Sequence, residues 1–219
     1  MKRLLNILLC VILLVAGSSA IADTREVGGD TVEEAVSRLV GFNFEKNEMG
    51  MQTLSPDPDM LDYFLQSENQ TAILPSAIWG GGVNIKLLVV SLGGNKLEQV
   101  QKVVIDTDKK QYTILPEKPY SYKNEANQIG IMWIVDENFA TAIEDMGTSE
   151  QIVFDFIQNE NTHEVVALDE EQLYLIHQYS YISNNYIVSS DDNAMVKAIL
   201  MTQLEKQGYG DYTISVTDK

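Results

Sequence analysis

The sequence predicts an α+β domain: an antiparallel sheet of roughly six or seven strands with helices packed on it, preceded by a signal peptide. Three observations carry that expectation. From Gln128 to Ile182 the chain reads strand, helix, hairpin and helix, with clear punctuation between them. From Val83 to Leu115, three apolar, β-branched runs are separated by the turn-forming Gly93-Gly94-Asn95 and by Asp106 to Lys109, a pattern of antiparallel strands. Strands and helices do not alternate in the regular manner of a doubly wound nucleotide fold.

Residues 1–22 carry the pattern of a secretory leader: Lys2 and Arg3, a mostly apolar run from Leu4 to Ala16, and a small-x-small site at Ala20-Ile21-Ala22. The run is short for a membrane span. The expectation is therefore cleavage before Asp23 and export to a bacterial periplasm or beyond. Cys10 is the single cysteine, and Leu9 before it argues against a lipoprotein leader. A chain without its leader has no thiol. That excludes disulfides, thiolate catalysis and cysteine metal sites from the mature protein.

Residues 23–70 are expected to form a helical region on the main domain, residues 71–219. Thr31 and Glu34 have the spacing of a capping box. Val32, Ala35, Val36, Leu39 and Val40 then fall at helical spacing, with Gly41 as the stop. Glu45 to Pro58 reads as a loop. Met60 to Leu65 reads as a second short helix.

In the main domain, Ala72 to Ile78 is apolar enough to enter the sheet, and Trp79 precedes a tight bend at Gly80-Gly81-Gly82. Val83 to Leu92 is apolar at successive positions, as a strand buried on both faces would be. Leu97 to Ile105 and Gln111 to Leu115 are expected to continue it as a meander. A polar connection with Tyr120 and Tyr122 follows. Ile129 to Val135 reads as a strand. Asp136 is placed to cap a helix over 137–146, where Phe139, Ala142, Ile143 and Met146 form a stripe and Gly147 ends it. Strands are expected at 151–157 and 164–168. Asp169 begins a helix over 170–182, with Gln172 at the capping-box position. A last helix is expected at 191–206, and the alternation of Tyr212, Ile214 and Val216 predicts an edge strand.

The formal charge is −17, and loss of Lys2 and Arg3 with the leader would take it to −19. Such a chain repels nucleic acid and anionic lipid, so neither is expected as a partner. Solubility accounts for the charge most simply. His163 and His177 are the only histidines and do not form the i, i+4 pair of a zinc hydrolase. The glycine run lacks the lysine and hydroxyl residue of a phosphate loop, and no G-x-S-x-G occurs. Asp106 with Asp108, and Asp191 with Asp192, lack the full calcium loop ending in glutamate. No catalytic residue, metal ligand or cofactor is assigned. The helix–hairpin–helix stretch carries no motif diagnostic of a family.

Aromatic residues supply the binding candidates. Tyr174, Tyr179, Tyr181 and Tyr186 cluster in sequence, and Trp79 sits at the glycine bend. Tyrosine offers large contact area at low entropic cost and is favoured at interfaces, although core packing with the hydroxyl at the rim is the simpler explanation of such residues. Trp79, Tyr174, Tyr179 and Tyr181 are the candidate binding residues. The expected function is an exported acidic binding or interaction protein of the cell envelope, with a protein or glycan ligand. Two alternatives stand beside it: a carboxylate-dependent hydrolase of cell-wall or glycan substrates, and an inhibitor or immunity-like partner of a basic exported protein.

Overall fold

A computed structural model describes residues 26–47, 50–57, 59, 71–80, 83–93, 96–123, 127–187, 202 and 209–219. The expected leader and the expected helix at 60–65 lie outside the described residues, as does all but residue 202 of the expected helix at 191–206.

The fold is α+β and its sheets are antiparallel, but among the described residues the strands form two five-stranded sheets rather than one. The first runs β1 (Phe42–Lys46), β2 (Gln52–Pro56), β3 (Ala72–Gly80), β4 (Val83–Leu92) and β7 (Ile129–Ile134) in spatial order. The second runs β10 (Tyr212–Asp218), β6 (Lys110–Pro116), β5 (Lys102–Thr107), β8 (Ile152–Asn159) and β9 (Thr162–Ala167). Among the described residues three helices accompany them: α1 (Val32–Val36), α2 (Glu137–Met146) and α3 (Glu170–Asn185). Among the described residues no helix is long and apolar enough to cross a membrane.

Two expectations change. β4 does not begin a meander with β5; it pairs with β3 and β7, setting Leu88 opposite Pro75 on one side and Trp133 on the other. A strand apolar on both faces belongs inside a sheet rather than at its edge. The chain leaves the first sheet at Leu92 and enters the second at Lys102, where the β5–β6 hairpin forms as expected (Val103 opposite Ile114, Asp106 opposite Gln111). Residues 45–56, read as a loop, belong largely to the β1–β2 hairpin, with Phe44 opposite Leu54. The buried Gln52, Thr53 and Ser55 of β2 hid that strand, because its burial comes from its neighbours and not from its own apolarity.

Local capping follows the sequence. The Thr31 hydroxyl accepts from Glu34 N at 3.2 Å while the Glu34 carboxylate accepts from Thr31 N at 2.8 Å. Asp136 accepts from Phe139 N at 2.9 Å, and Asp169 from Gln172 N at 2.9 Å. α1 is shorter than predicted and stops at Val36, leaving Val40 exposed beyond it. α3 is longer and runs on to Asn185.

The apolar faces of both sheets, α2 and α3 share one core. Residues alternate between buried and open along β5 and β8, whereas β3 is buried at all nine positions. Tyr112, Phe154 and Phe156 meet Trp133, Phe139 and Tyr179 in this core. Each such side chain contributes about 1.5–3 kcal/mol on full burial. α3 lies along β3, where the Tyr179 hydroxyl donates to the Ser76 carbonyl at 2.9 Å.

At one corner the edge strands of the two sheets meet. Ring centroids step from Trp133 to Phe139 at 5.7 Å and from Phe139 to Tyr212 at 6.1 Å. The Tyr212 hydroxyl then donates to the Ile134 carbonyl at 2.7 Å, tying β10 to β7.

Candidate ligand groove

The segment after β6 and the segment before β10 face each other beside that corner. Each is held by backbone pairing. Val100 and Tyr120 exchange two hydrogen bonds of 2.9 Å, and Gly130 N donates to the Tyr122 carbonyl at 3.0 Å. Tyr209 bridges Met132 in parallel, and Glu117 N donates to the Asp211 carbonyl at 2.8 Å. These bonds fix both walls. Pro116 and Pro119 restrict the first wall further.

Between the walls lies an open groove of about 370 Å³, lined by residues 117–122 and 209–211. That volume is at the small end of ligand pockets, which span roughly 300–1,000 Å³. Three tyrosines contribute to the lining: Tyr120, Tyr122 and Tyr209. Tyr120 is nearly buried, and its hydroxyl accepts the Trp133 indole N–H at 2.9 Å. Tyr122 is 36% exposed. Gly210 leaves the edge of the Tyr120 ring open: a methyl group there would sit 3.7 Å from Tyr120 Cε1, an ordinary contact distance.

The charged lining residues are Glu117, Lys118 and Asp211. One oxygen of Asp211 accepts from the Tyr209 hydroxyl at 3.1 Å. Burial pushes the Tyr120 phenol well above its usual 10.0, and the nearby Tyr209 and Asp211 add to that, against the opposing effect of the bond from Trp133. Tyr120 therefore stays neutral at physiological pH and contributes a buried, uncharged ring to the lining.

The four aromatic candidates from the sequence lie elsewhere and are not brought together. Trp79 and Tyr179 are 0% exposed and belong to the core. Trp79 packs its ring 6.0 Å from Phe44. Tyr174 and Tyr181 do lie on one helix, α3, seven residues apart. Tyr181 is 49% exposed and stands edge-on to Tyr186 at 6.1 Å. The Tyr174 hydroxyl accepts from Val40 N at 3.3 Å. Both histidines make local bonds: His163 Nδ1 lies 2.9 Å from Asp155 on the open face of the second sheet, and His177 Nε2 lies 2.9 Å from the Ser149 carbonyl. Among the described residues no group of three or more His, Cys, Asp or Glu is arranged to hold a metal ion.

Tyr120 and Tyr122 were visible in sequence as a pair of aromatics in a proline-bearing connection. Tyr209 and Asp211 are interleaved with Gly208 and Gly210 between the expected helix at 191–206 and the expected edge strand, where sequence gives them no element of their own. The signal that was available is composition: Tyr-Gly-Asp beside a strand start is turn chemistry with an aromatic attached. No family model, curated protein or solved structure matches this chain.

Proposed function

We propose that this chain is an exported acidic interaction protein of the bacterial cell envelope, and that it holds its ligand in the groove between residues 117–122 and 209–211. The observation that carries this reading is the groove itself, whose tyrosine walls are fixed by backbone hydrogen bonds before any ligand arrives. Preorganised aromatic walls recognise a partner at low entropic cost. Support for export is the leader pattern of residues 1–22.

Two measurements test the reading. Mass spectrometry of the untagged protein from each cell fraction checks export: an extracytoplasmic chain beginning at Asp23 supports it, and an intact cytoplasmic chain overturns it. An NMR titration with basic peptides and cell-wall glycan fragments checks the groove. Binding should shift the Gly210 amide and be lost in Gly210→Leu, whose side chain fills the groove without removing a hydrogen bond. Binding that leaves Gly210 unshifted and survives Gly210→Leu would place the ligand site elsewhere.

A further inference from the structure

We propose that the groove seats a cationic side chain, an arginine by geometry, presented by a basic partner polypeptide. This deepens the preceding proposal and rests on it. The two walls each bring a carboxylate, Glu117 from one and Asp211 from the other, and the backbone bond between these residues joins the walls at that point. Among the described residues Lys118 is the single cationic one of the lining, against the two carboxylates of Glu117 and Asp211. The whole chain carries −17 and adds a long-range field that draws positive partners toward any acidic cleft.

The aromatic groups suit the same occupant. A tyrosine face attracts a cation through its ring quadrupole, and guanidinium stacks there more readily than ammonium because it is planar and weakly hydrated. Tyr122, 36% exposed, and the half-buried Tyr209 offer the ligand their rings, while Tyr120 is buried behind them with its hydroxyl committed to Trp133. The Tyr209 hydroxyl donates to one oxygen of Asp211. That bond holds the carboxylate beside the rings and leaves its second oxygen to receive an N–H from the ligand. The groove's volume suits a side chain with its flanking backbone rather than a folded domain. The partner's remaining surface would meet the acidic exterior around the groove.

The test is a titration of the purified full chain with a hexa-arginine peptide, followed by NMR and calorimetry. Hexa-citrulline serves as the neutral isostere, hexa-lysine as the competing cation and chitohexaose as a neutral glycan. The proposal expects hexa-arginine to shift the Gly210 amide and the tyrosine ring signals. It expects hexa-citrulline to bind about tenfold more weakly or worse, in line with loss of a charge-assisted contact. Asp211→Asn should weaken hexa-arginine binding by about tenfold at an unchanged melting temperature, and affinity should fall as salt rises. Hexa-lysine binding as tightly as hexa-arginine overturns the preference for arginine. Chitohexaose shifting Gly210 while hexa-arginine does not overturns the cation proposal but leaves the groove as the site. Hexa-arginine binding equally well to Gly210→Leu, with no shift at Gly210, overturns both, because the contact is then with the general acidic surface.

Discussion

Trp133 on β7 donates its indole N–H to the hydroxyl of Tyr120 at 2.9 Å, and both residues are buried. This bond connects the core of the first sheet to the wall of the groove. Tyr120→Phe would keep the ring and remove the acceptor. A buried donor left without a partner costs about 1–3 kcal/mol. Denaturant unfolding should show a loss of that size with an unchanged slope, while ligand binding in the groove persists. A loss near zero would mean that another acceptor, or water, satisfies Trp133.

Gly147 follows α2 and faces Ser180 on α3. A methyl group on Gly147 would fall well inside van der Waals contact with Ser180 Oγ and Cβ. The sequence marks this glycine as a helix stop, but its φ is not left-handed; close helix approach is what requires it. Gly147→Ala should destabilise the fold by about 1–3 kcal/mol through overpacking. Ser180→Gly should cost about 0.5–1 kcal/mol for a glycine inside a helix. The double variant should be more stable than the sum of the two losses, because the second change removes the obstruction. Strict additivity in a thermal or urea series would rule the contact out as the cause.

What the sequence made legible was local. The caps at Asp136 and Asp169 and the α2 stripe depend on residues three or four apart, and all of them form. What it hid depends on partners distant in the chain. Nothing in Val83–Leu92 tells that its neighbours are β3 and β7 rather than β5. Tyr179 and Tyr181 show the same limit within one helix. Residues two apart point to opposite sides, yet α3 carries tyrosine and isoleucine on both sides. Only its docking on β3 decides that Tyr179 is buried while Tyr181 is exposed. The groove is the extreme case, since residues 117–122 and 209–211, some ninety positions apart, are brought together by the pairing of β6 with β10.

Alkaline pH should act in two opposing steps. Lys86 is partly buried and donates to the Ser183 carbonyl at 3.1 Å. Burial lowers its pKa from 10.5, against a weaker upward pull from Glu144. The folded state therefore binds this proton less tightly than the unfolded state, and stability rises as pH climbs from the lowered value toward 10.5. The phenols of Tyr112, Tyr120, Tyr179 and Tyr212 behave oppositely. Burial is the main cause that raises all four above 10.0, with the Asp145 carboxylate adding to it at Tyr112 and Asp136 at Tyr212. Their contribution is fully present below pH 10.0 and is lost above it, as the unfolded chain ionises first. Urea midpoints should rise gently on the alkaline side, pass through a maximum near pH 10 and then fall steeply as tyrosinate absorbance appears. Lys86→Met should flatten the rise and leave the fall. A fall that begins well below pH 10 without tyrosinate would show that other groups control alkaline unfolding.

Gly80 closes β3 with φ +105°, and a methyl group there would lie 2.7 Å from the Gly50 carbonyl oxygen and 3.3 Å from Met51 Cα. Both obstacles are backbone, so neither moves aside cheaply. The residue lets the end of the β3–β4 hairpin rest against the turn between β1 and β2. Gly28 provides the comparison within the same chain: its φ is +64° and nothing lies within 4 Å of the added methyl. Gly28→Ala should cost about 1–2 kcal/mol, the ordinary penalty of a left-handed residue. Gly80→Ala carries a φ farther from the left-handed well and a clash in addition, so its loss should be larger by about 1–3 kcal/mol. At about 2–4 °C per kcal/mol for a chain of this size, calorimetry resolves the difference. Hydrogen exchange should also quicken in β1 to β4 for Gly80→Ala alone. Equal melting temperatures for the two variants would show that the hairpin ends separate freely and that the first sheet does not depend on their contact.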